Sequence, residues 1–229
     1  MKKFLLVILI ILVVFSAAYA QNAGETSAGA RAGMLFGFHS FSDEFRRLFD
    51  AASELPINIS DRALNNFNLA IFGSYAFTNN FSVQAELIYM INQGMEISAR
   101  LLGFGSTVRG TYSSLDIPIL LKYSFINAPA KLGVLGGPHV SLPLGYFELK
   151  ETGIGFGPLV GEYGVGFPTF GITVGLFGGF PVGPGRITGD LRYLMDFTYL
   201  KIRPFGEDID VAARRGISAG IGYEFIFRR

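Results

Sequence analysis

The chain has 229 residues, half of them apolar, and a formal net charge of +1 at pH 7. A nearly neutral chain offers no electrostatic basis for binding nucleic acid, and the absence of cysteine excludes a disulfide framework and a lipoprotein-type lipid anchor. The mean hydropathy of +0.40 is high for a secreted soluble protein, yet no stretch after residue 20 reaches the ~18 apolar residues of a membrane-spanning helix. This combination is typical of a membrane β-barrel, in which apolar residues occupy every second position.

The N-terminus has the three parts of a secretory signal peptide. Lys2 and Lys3 form a positive segment, residues 4–15 are uninterruptedly apolar, and Ala18-Tyr19-Ala20 supplies the small-x-small cleavage pattern. We therefore expect residues 1–20 to be removed after export through the general secretory route, and residues 21–229 to form one β-barrel domain. An N-terminal anchor helix is the less favoured alternative, because the apolar core is too short for a comfortable membrane span.

Eight segments alternate between apolar and small or polar residues with a period of two. This period indicates β-strands that have different surroundings on their two faces. The predicted strands are 28–41, 66–78, 81–92, 112–125, 130–144, 169–180, 186–199 and 216–229. In the last of these, the apolar face consists of Ile217, Ala219, Ile221, Tyr223, Phe225 and Phe227.

The connections between these strands alternate in length. Short turns follow the second, fourth and sixth strands, at Asn79-Asn80, Asn127-Ala128-Pro129 and residues 181–184. The other connections are long, and the first shows helical spacing after a capping Ser42. The pattern predicts an all-β fold, an eight-stranded antiparallel up-and-down transmembrane β-barrel with short periplasmic turns and long extracellular loops.

Periodicity alone does not say which face is outward, since a soluble lipocalin-type barrel would place its apolar face inside, around a ligand. Aromatic residues near the strand ends favour lipid on the outside, and small residues on the other face suit the narrow interior of eight strands. That face also carries five charges of each sign: Arg31, Glu86, Asp116, Lys122, Lys131, Arg186, Asp190, Arg192, Asp196 and Glu224. We expect these structural charges to pair inside the barrel and to fill it.

Four segments carry a resemblance to a known family: Arg31-Ala32-Gly33-Met34, residues 115–123 (LDIPILLKY), Gly136-Gly137-Pro138 and Gly220-Ile221-Gly222-Tyr223. With them the chain resembles the small bacterial outer-membrane barrels described as outer membrane protein beta-barrel domain, porin-family or PorT-like proteins. The resemblance implies location in the bacterial outer membrane, contact with its lipid and lipopolysaccharide, and insertion by the barrel-assembly machinery. The chain departs from many such barrels by ending in Arg228-Arg229 rather than on an aromatic residue.

The two histidines are the candidates for catalysis. His39 and His139 are predicted to point inward near the loop end of the barrel, and Ser40 and Ser141 are close to them in sequence. A lipid hydrolase or acyltransferase would need a histidine beside a serine, but the first and fifth strands lie on opposite sides of an eight-stranded ring. We therefore expect no catalytic residues, no cofactor and no metal site.

These observations leave two classes of function. The first is a non-enzymatic integral barrel that supports the envelope or binds partners through its loops, with a lumen filled by side chains. The second is a narrow channel or an accessory component of a secretion or transport system. A protein partner on the extracellular or periplasmic side stays open at this stage.

Overall fold

A computed structural model of the protein describes residues 24–42, 47, 57–101, 104–126, 130–153, 161–165, 168–203 and 209–227. The predicted signal peptide lies outside the described residues, as does the predicted helix of the first connection apart from its residues 42 and 47. The strands of the described chain are β1 (Thr26–Phe41), β2 (Ile57–Ala63), β3 (Asn66–Ala76), β4 (Phe81–Leu101), β5 (Phe104–Ile126), β6 (Lys131–Gly153), β7 (Gly161–Val165), β8 (Thr169–Val182), β9 (Gly185–Asp196), β10 (Leu200–Arg203) and β11 (Ile209–Phe227).

Eight of these strands close into a ring of antiparallel neighbours, in the order β1, β3, β4, β5, β6, β8, β9, β11 and back to β1. The closing ladder between β1 and β11 runs from Thr26 opposite Phe227 to Phe41 opposite Ala212. The turn between β8 and β9 is short, and Gly183 adopts the positive φ of 59° that favours glycine. The predicted up-and-down barrel of eight strands is therefore confirmed.

The strands extend further into the long connections than the alternation predicts, above all in the third connection. β4 continues to Leu101 and β5 begins at Phe104, so most of the predicted third loop is a β-hairpin. β6 likewise continues to Gly153, and β11 begins at Ile209 rather than at residue 216. β4 has a bulge at Asn92, whose φ is 52°. A bulge inserts one extra residue, so the alternation continues beyond Asn92 with the inner and outer faces exchanged.

Three short strands extend the wall of the barrel above the ring. β2 pairs with β4, β7 pairs with β6, and β10 pairs with both β7 and β11. Above the ring, the ladder partner of β4 changes from β3 to β2, that of β6 changes from β8 to β7, and that of β11 changes from β9 to β10. We call this part of the wall the crown; it comprises residues 57–63, 94–101, 104–111, 145–153, 161–165, 200–203 and 209–213.

The outer face of the ring is apolar and exposed, which excludes the soluble barrel with an apolar interior. Ile119 and Leu191 are 54% and 51% exposed at its middle. Exposed aromatic residues form two belts: Phe77, Phe81, Phe125, Phe180 and Phe227 at the turn end, and Phe36, Phe67, Tyr89, Phe170 and Tyr199 at the crown end. Such belts lie at the two interfaces of a membrane.

In the part of the chain that the structure describes, no helix is both long enough and apolar enough to cross a membrane.

Candidate functional site: the charged interior of the barrel

All ten charged residues of the predicted inner face point into the ring. Eight are buried, and Lys131 and Asp190 are partly exposed. They occupy alternate positions of their strands, which is why the period of two assigns them to one face. Register and ring closure then sort them into three clusters, which we call the central, crown-side and turn-side clusters.

The central cluster joins two guanidinium groups to two carboxylates. Arg192 donates from Nη1 and Nη2 to the two carboxylate oxygens of Glu86, at 2.8 and 2.9 Å. Arg31 reaches the same carboxylate at 3.2 Å and Asp190 Oδ1 at 2.8 Å, and Arg192 Nε also lies 2.7 Å from Asp190 Oδ1. Gly220 leaves room for this arrangement, because a Cβ there would lie 2.8 Å from Arg31 Nη1. The cluster therefore contains two positive and two negative charges, and this balance lowers the cost of burying them.

The crown-side cluster is built around Arg214. Its Nη1 lies 2.8 Å from Asp116 Oδ2, and its Nη2 lies 3.3 Å from Asp196 Oδ1. The same Nη1 donates to Gln93 Oε1 at 3.1 Å. Arg214 thus links carboxylates from two different strands, β5 and β9, through the middle of the barrel.

His139 belongs to the crown-side cluster as well. Its Nε2 lies 2.6 Å from Asp196 Oδ1 and its Nδ1 lies 3.0 Å from Thr173 Oγ1. Ser141, the serine nearest in sequence, instead donates to Asp116 Oδ1 at 2.6 Å. The side chain of His39 lies outside the described residues. The described residues contain no group of three or more histidines and carboxylates suited to hold a metal ion.

The turn-side cluster closes the opposite end. Arg186 Nη2 lies 2.5 Å from Glu25 Oε1, and Arg186 Nε lies 3.4 Å from Glu224 Oε2. Lys131 Nζ lies 3.7 Å from the same Glu25 oxygen. Ser27 donates to Glu224 at 2.5 Å, so that carboxylate has partners on two neighbouring strands.

Lys122 departs from the expectation that each inner charge has a partner of opposite sign. Its Nζ donates to Gln84 Oε1 at 2.8 Å and lies 4.2 Å from the centre of the Phe177 ring. Among the described residues, no carboxylate lies within salt-bridge distance of this ammonium group. The physical reason is register, because Ser82 lies opposite Lys122 on β4, Gln84 is the next inward residue, and Glu86 lies one inward position further away.

Apolar layers separate the clusters. Leu35, Ala70, Ile88, Met90 and Leu194 form a buried group on the inner face. A second group, Leu120, Leu135 and Phe177, packs beside Lys122. Two small cavities are found between the side chains, of about 20 Å³ at the turn end and about 10 Å³ between the central and crown-side clusters. Each has room for about one or two water molecules, so these two cavities leave little free space in the described part of the interior.

Sequence reasoning missed three residues of these clusters: Glu25, Gln93 and Arg214. The signal for Arg214 was present, since it lies on the same face as Ser218 and Glu224 once β11 is extended upstream by two residues. Gln93 was hidden by the bulge at Asn92, which returns an odd-numbered residue of β4 to the inner face.

Comparisons with known proteins agree with the barrel fold. The family model described as outer membrane protein beta-barrel domain matches residues 19–201. The outer membrane protein OprG from Pseudomonas aeruginosa has a similar structure, with a TM-score of 0.56, 12% identity, and coverage of 91% of this chain and 98% of OprG. Neisserial surface protein A has a TM-score of 0.49, 14% identity, and coverage of 88% of this chain and 97% of that protein. No curated protein sequence matches the chain. At such identities, the likeness to OprG is evidence for the fold alone.

Proposed function

Because the chain belongs to the family of outer membrane protein β-barrel domains, we propose that it acts in the bacterial outer membrane as a closed, non-enzymatic barrel. In this proposal, the ring anchors the crown at the cell surface, where the crown supports the envelope and binds partners. The observation that carries the proposal is the closely packed interior of the described ring, in which charged clusters alternate with apolar groups. A ring of eight strands has room for its own side chains and little else.

The bonding of the central cluster supports a closed lumen. A passage for ions would require Glu86 to separate from Arg31 or Arg192, whose guanidinium groups lie 3.2 and 2.8 Å from it. Separating one partner of a buried pair leaves an uncompensated charge, which costs about 3–5 kcal/mol. A barrier of that kind makes steady conduction unfavourable.

The geometry around the histidine supports a non-enzymatic role. The hydroxyl of Ser141 is directed at Asp116, and the imidazole of His139 lies between Asp196 and Thr173. All of these groups are buried within the wall of the ring. A substrate would have to displace the interior side chains to reach them.

The outer face of the crown supports a binding role at the surface. Arg62, Glu96, Arg109 and Lys150 lie opposite one another on four adjacent strands. The side chains of Arg62 and Lys150 are about 70% exposed. Charges of both signs in one row suit contacts with the charged head groups of lipopolysaccharide or with a polar protein surface.

The C-terminal strand supports insertion by the barrel-assembly machinery. β11 ends with Tyr223, Phe225 and Phe227 on its outer, exposed face. An apolar, aromatic strand of this kind presents the feature that the resemblance associates with assembly.

Conductance in planar lipid bilayers tests the closed lumen. We expect no steady current from the wild-type protein under conditions in which a large porin conducts. The alternative function, a narrow channel or an accessory of a transport system, predicts steady single-channel steps.

A matched pair of variants makes the recording specific. Glu86→Gln and Glu96→Gln each remove one carboxylate charge, the first inside the ring and the second on the crown. A channel through the lumen would change its conductance or ion selectivity in Glu86→Gln alone. Steady wild-type currents with that dependence would overturn the proposal of a closed barrel.

A further inference from the structure

The cavity at the turn end of the barrel is lined by more cations than carboxylates. Three cations border it, Lys122, Lys131 and Arg186, together with the hydroxyl groups of Ser82, Ser124 and Thr188. Among the described residues, these three hydroxyl groups have no hydrogen-bond partner. A hydroxyl group can donate one hydrogen bond as well as accept, so these three hydroxyl groups are free to donate to an anion held by a neighbouring ammonium group.

The carboxylates that border the cavity are already engaged. Glu25 pairs with Arg186 at 2.5 Å and with Lys131 at 3.7 Å. Glu224 accepts hydrogen bonds from Ser27 and Ser74, at 2.5 and 3.1 Å, and pairs with Arg186. These two negative charges therefore compensate two of the three cations.

The third cation, Lys122, has no carboxylate within salt-bridge distance among the described residues, and Glu224 and Glu86 act on it only at longer range. Lys122 is 8% exposed, its Nζ donates to the neutral amide of Gln84, and its other close contact is the ring of Phe177. An ammonium group has three N–H donors, and a buried charge without a counter-charge is costly. The cavity thus carries one positive charge in excess among its described lining residues.

We propose that this cavity binds a small monovalent anion, of which chloride is the simplest, between Lys122 Nζ and the hydroxyl groups of Ser82, Ser124 and Thr188. The volume of about 20 Å³ admits one or two water-sized groups. Gluconate, with six carbon atoms, is larger than this space. The anion neutralises the excess positive charge of the turn-side cluster and contacts side chains of β4, β5 and β9. The site depends on the described interior and not on the proposed role of the crown.

Bromide is the direct probe, because it replaces chloride and scatters anomalously. In crystals of the wild-type protein soaked in sodium bromide, we expect an anomalous peak within hydrogen-bond contact of Lys122 Nζ. Electron density for water without an anomalous signal would overturn the proposal.

Thermal unfolding in detergent provides a solution test. When sodium chloride replaces sodium gluconate at constant ionic strength, we expect a saturable rise of the unfolding midpoint of about 3–6 °C at ten times the dissociation constant. Lys122→Met should abolish this rise, and Lys150→Met, which removes an exposed lysine of the crown, should retain it. A rise that persists in Lys122→Met would place the anion elsewhere and contradict the proposal.

Two milder variants keep the test decisive if Lys122→Met does not fold. Ser124→Ala and Thr188→Val each remove one donor, and each should raise the half-saturating chloride concentration by about two- to tenfold. An unchanged half-saturating concentration in both variants would exclude the assigned site.

Discussion

The interior of the ring is rich in charged side chains and that of the crown is mainly apolar, although β4, β5, β6 and β11 contribute to both. The ring encloses three charged clusters. The crown encloses Met95, Val211 and Ala212, with Ile97 and Ile202 packed against them, and Phe147 is buried nearby beside Tyr112.

The outer faces of the two regions also differ: the outer face is apolar on the ring and polar on the crown. On β5, Ile119 is exposed on the ring, and Arg109 is exposed on the crown. The physical reason is the surroundings, because the ring faces lipid and the crown faces water. Apolar groups leave water for the interior of the crown, whereas in lipid they gain nothing by facing inward.

β4 makes this change with a bulge. Below Asn92, the odd-numbered residues such as Tyr89 face outward, and above it Met95 and Ile97 face inward. One extra residue therefore moves the apolar set from the outer face to the inner face at the level where the surroundings change. On β5 the faces do not switch, and the sequence itself changes from Ile117 and Ile119 to Thr111 and Arg109.

The largest expected effect comes from breaking the central cluster. Glu86→Gln should lower the free energy of unfolding by about 3–5 kcal/mol, because Arg31 and Arg192 lose their shared carboxylate in the interior. Equilibrium denaturation in liposomes measures this loss. Glu96→Gln, whose partner Arg62 is an exposed residue of the crown, should cost less than about 1 kcal/mol. The double variant Glu86→Met with Arg192→Met should recover part of the loss; equal costs for Glu86 and Glu96 would contradict the comparison.

The next effect concerns the outer faces. Ile119→Lys should cost about 2–4 kcal/mol, because a lysine near the middle of the membrane must be buried in lipid. Thr111→Lys lies on the same strand and face, but on the crown, and should change stability by less than about 0.5 kcal/mol. Folding yields and denaturation midpoints in liposomes measure both variants. The reverse order would mean that the crown rather than the ring lies in the membrane.

The smallest effect concerns the apolar interior of the crown. Met95→Ala should cost about 2 kcal/mol, at the low end for such a change, because the crown can relax in water. It should leave the heat-modifiable gel mobility of the folded ring intact, since the ring has its own interior. Loss of the folded ring in Met95→Ala would show that the two interiors are a single cooperative unit.

Much of the ring could be predicted from the sequence because its two faces meet different surroundings. A period of two assigns residues such as Arg31 and Ile119 to opposite faces without knowledge of their neighbours. The shape of the third connection could not be predicted in this way. In this segment the alternation continues, but Met95 faces inward and Glu96 faces outward. The strands of the ring are identified by an apolar outer face, and this segment has a polar one.

The sequence by itself determined the number of ring strands, their direction and the inward orientation of ten charges, because these follow from local alternation and from the lengths of turns. Only the tertiary structure decided which charges meet. Glu86 contacts Arg31 and Arg192, which lie 55 and 106 residues away, and Arg214 lies between Asp116 and Asp196. Such contacts depend on the register of every ladder between the partners and on closure of the ring, and a shift of one residue in any ladder would change them.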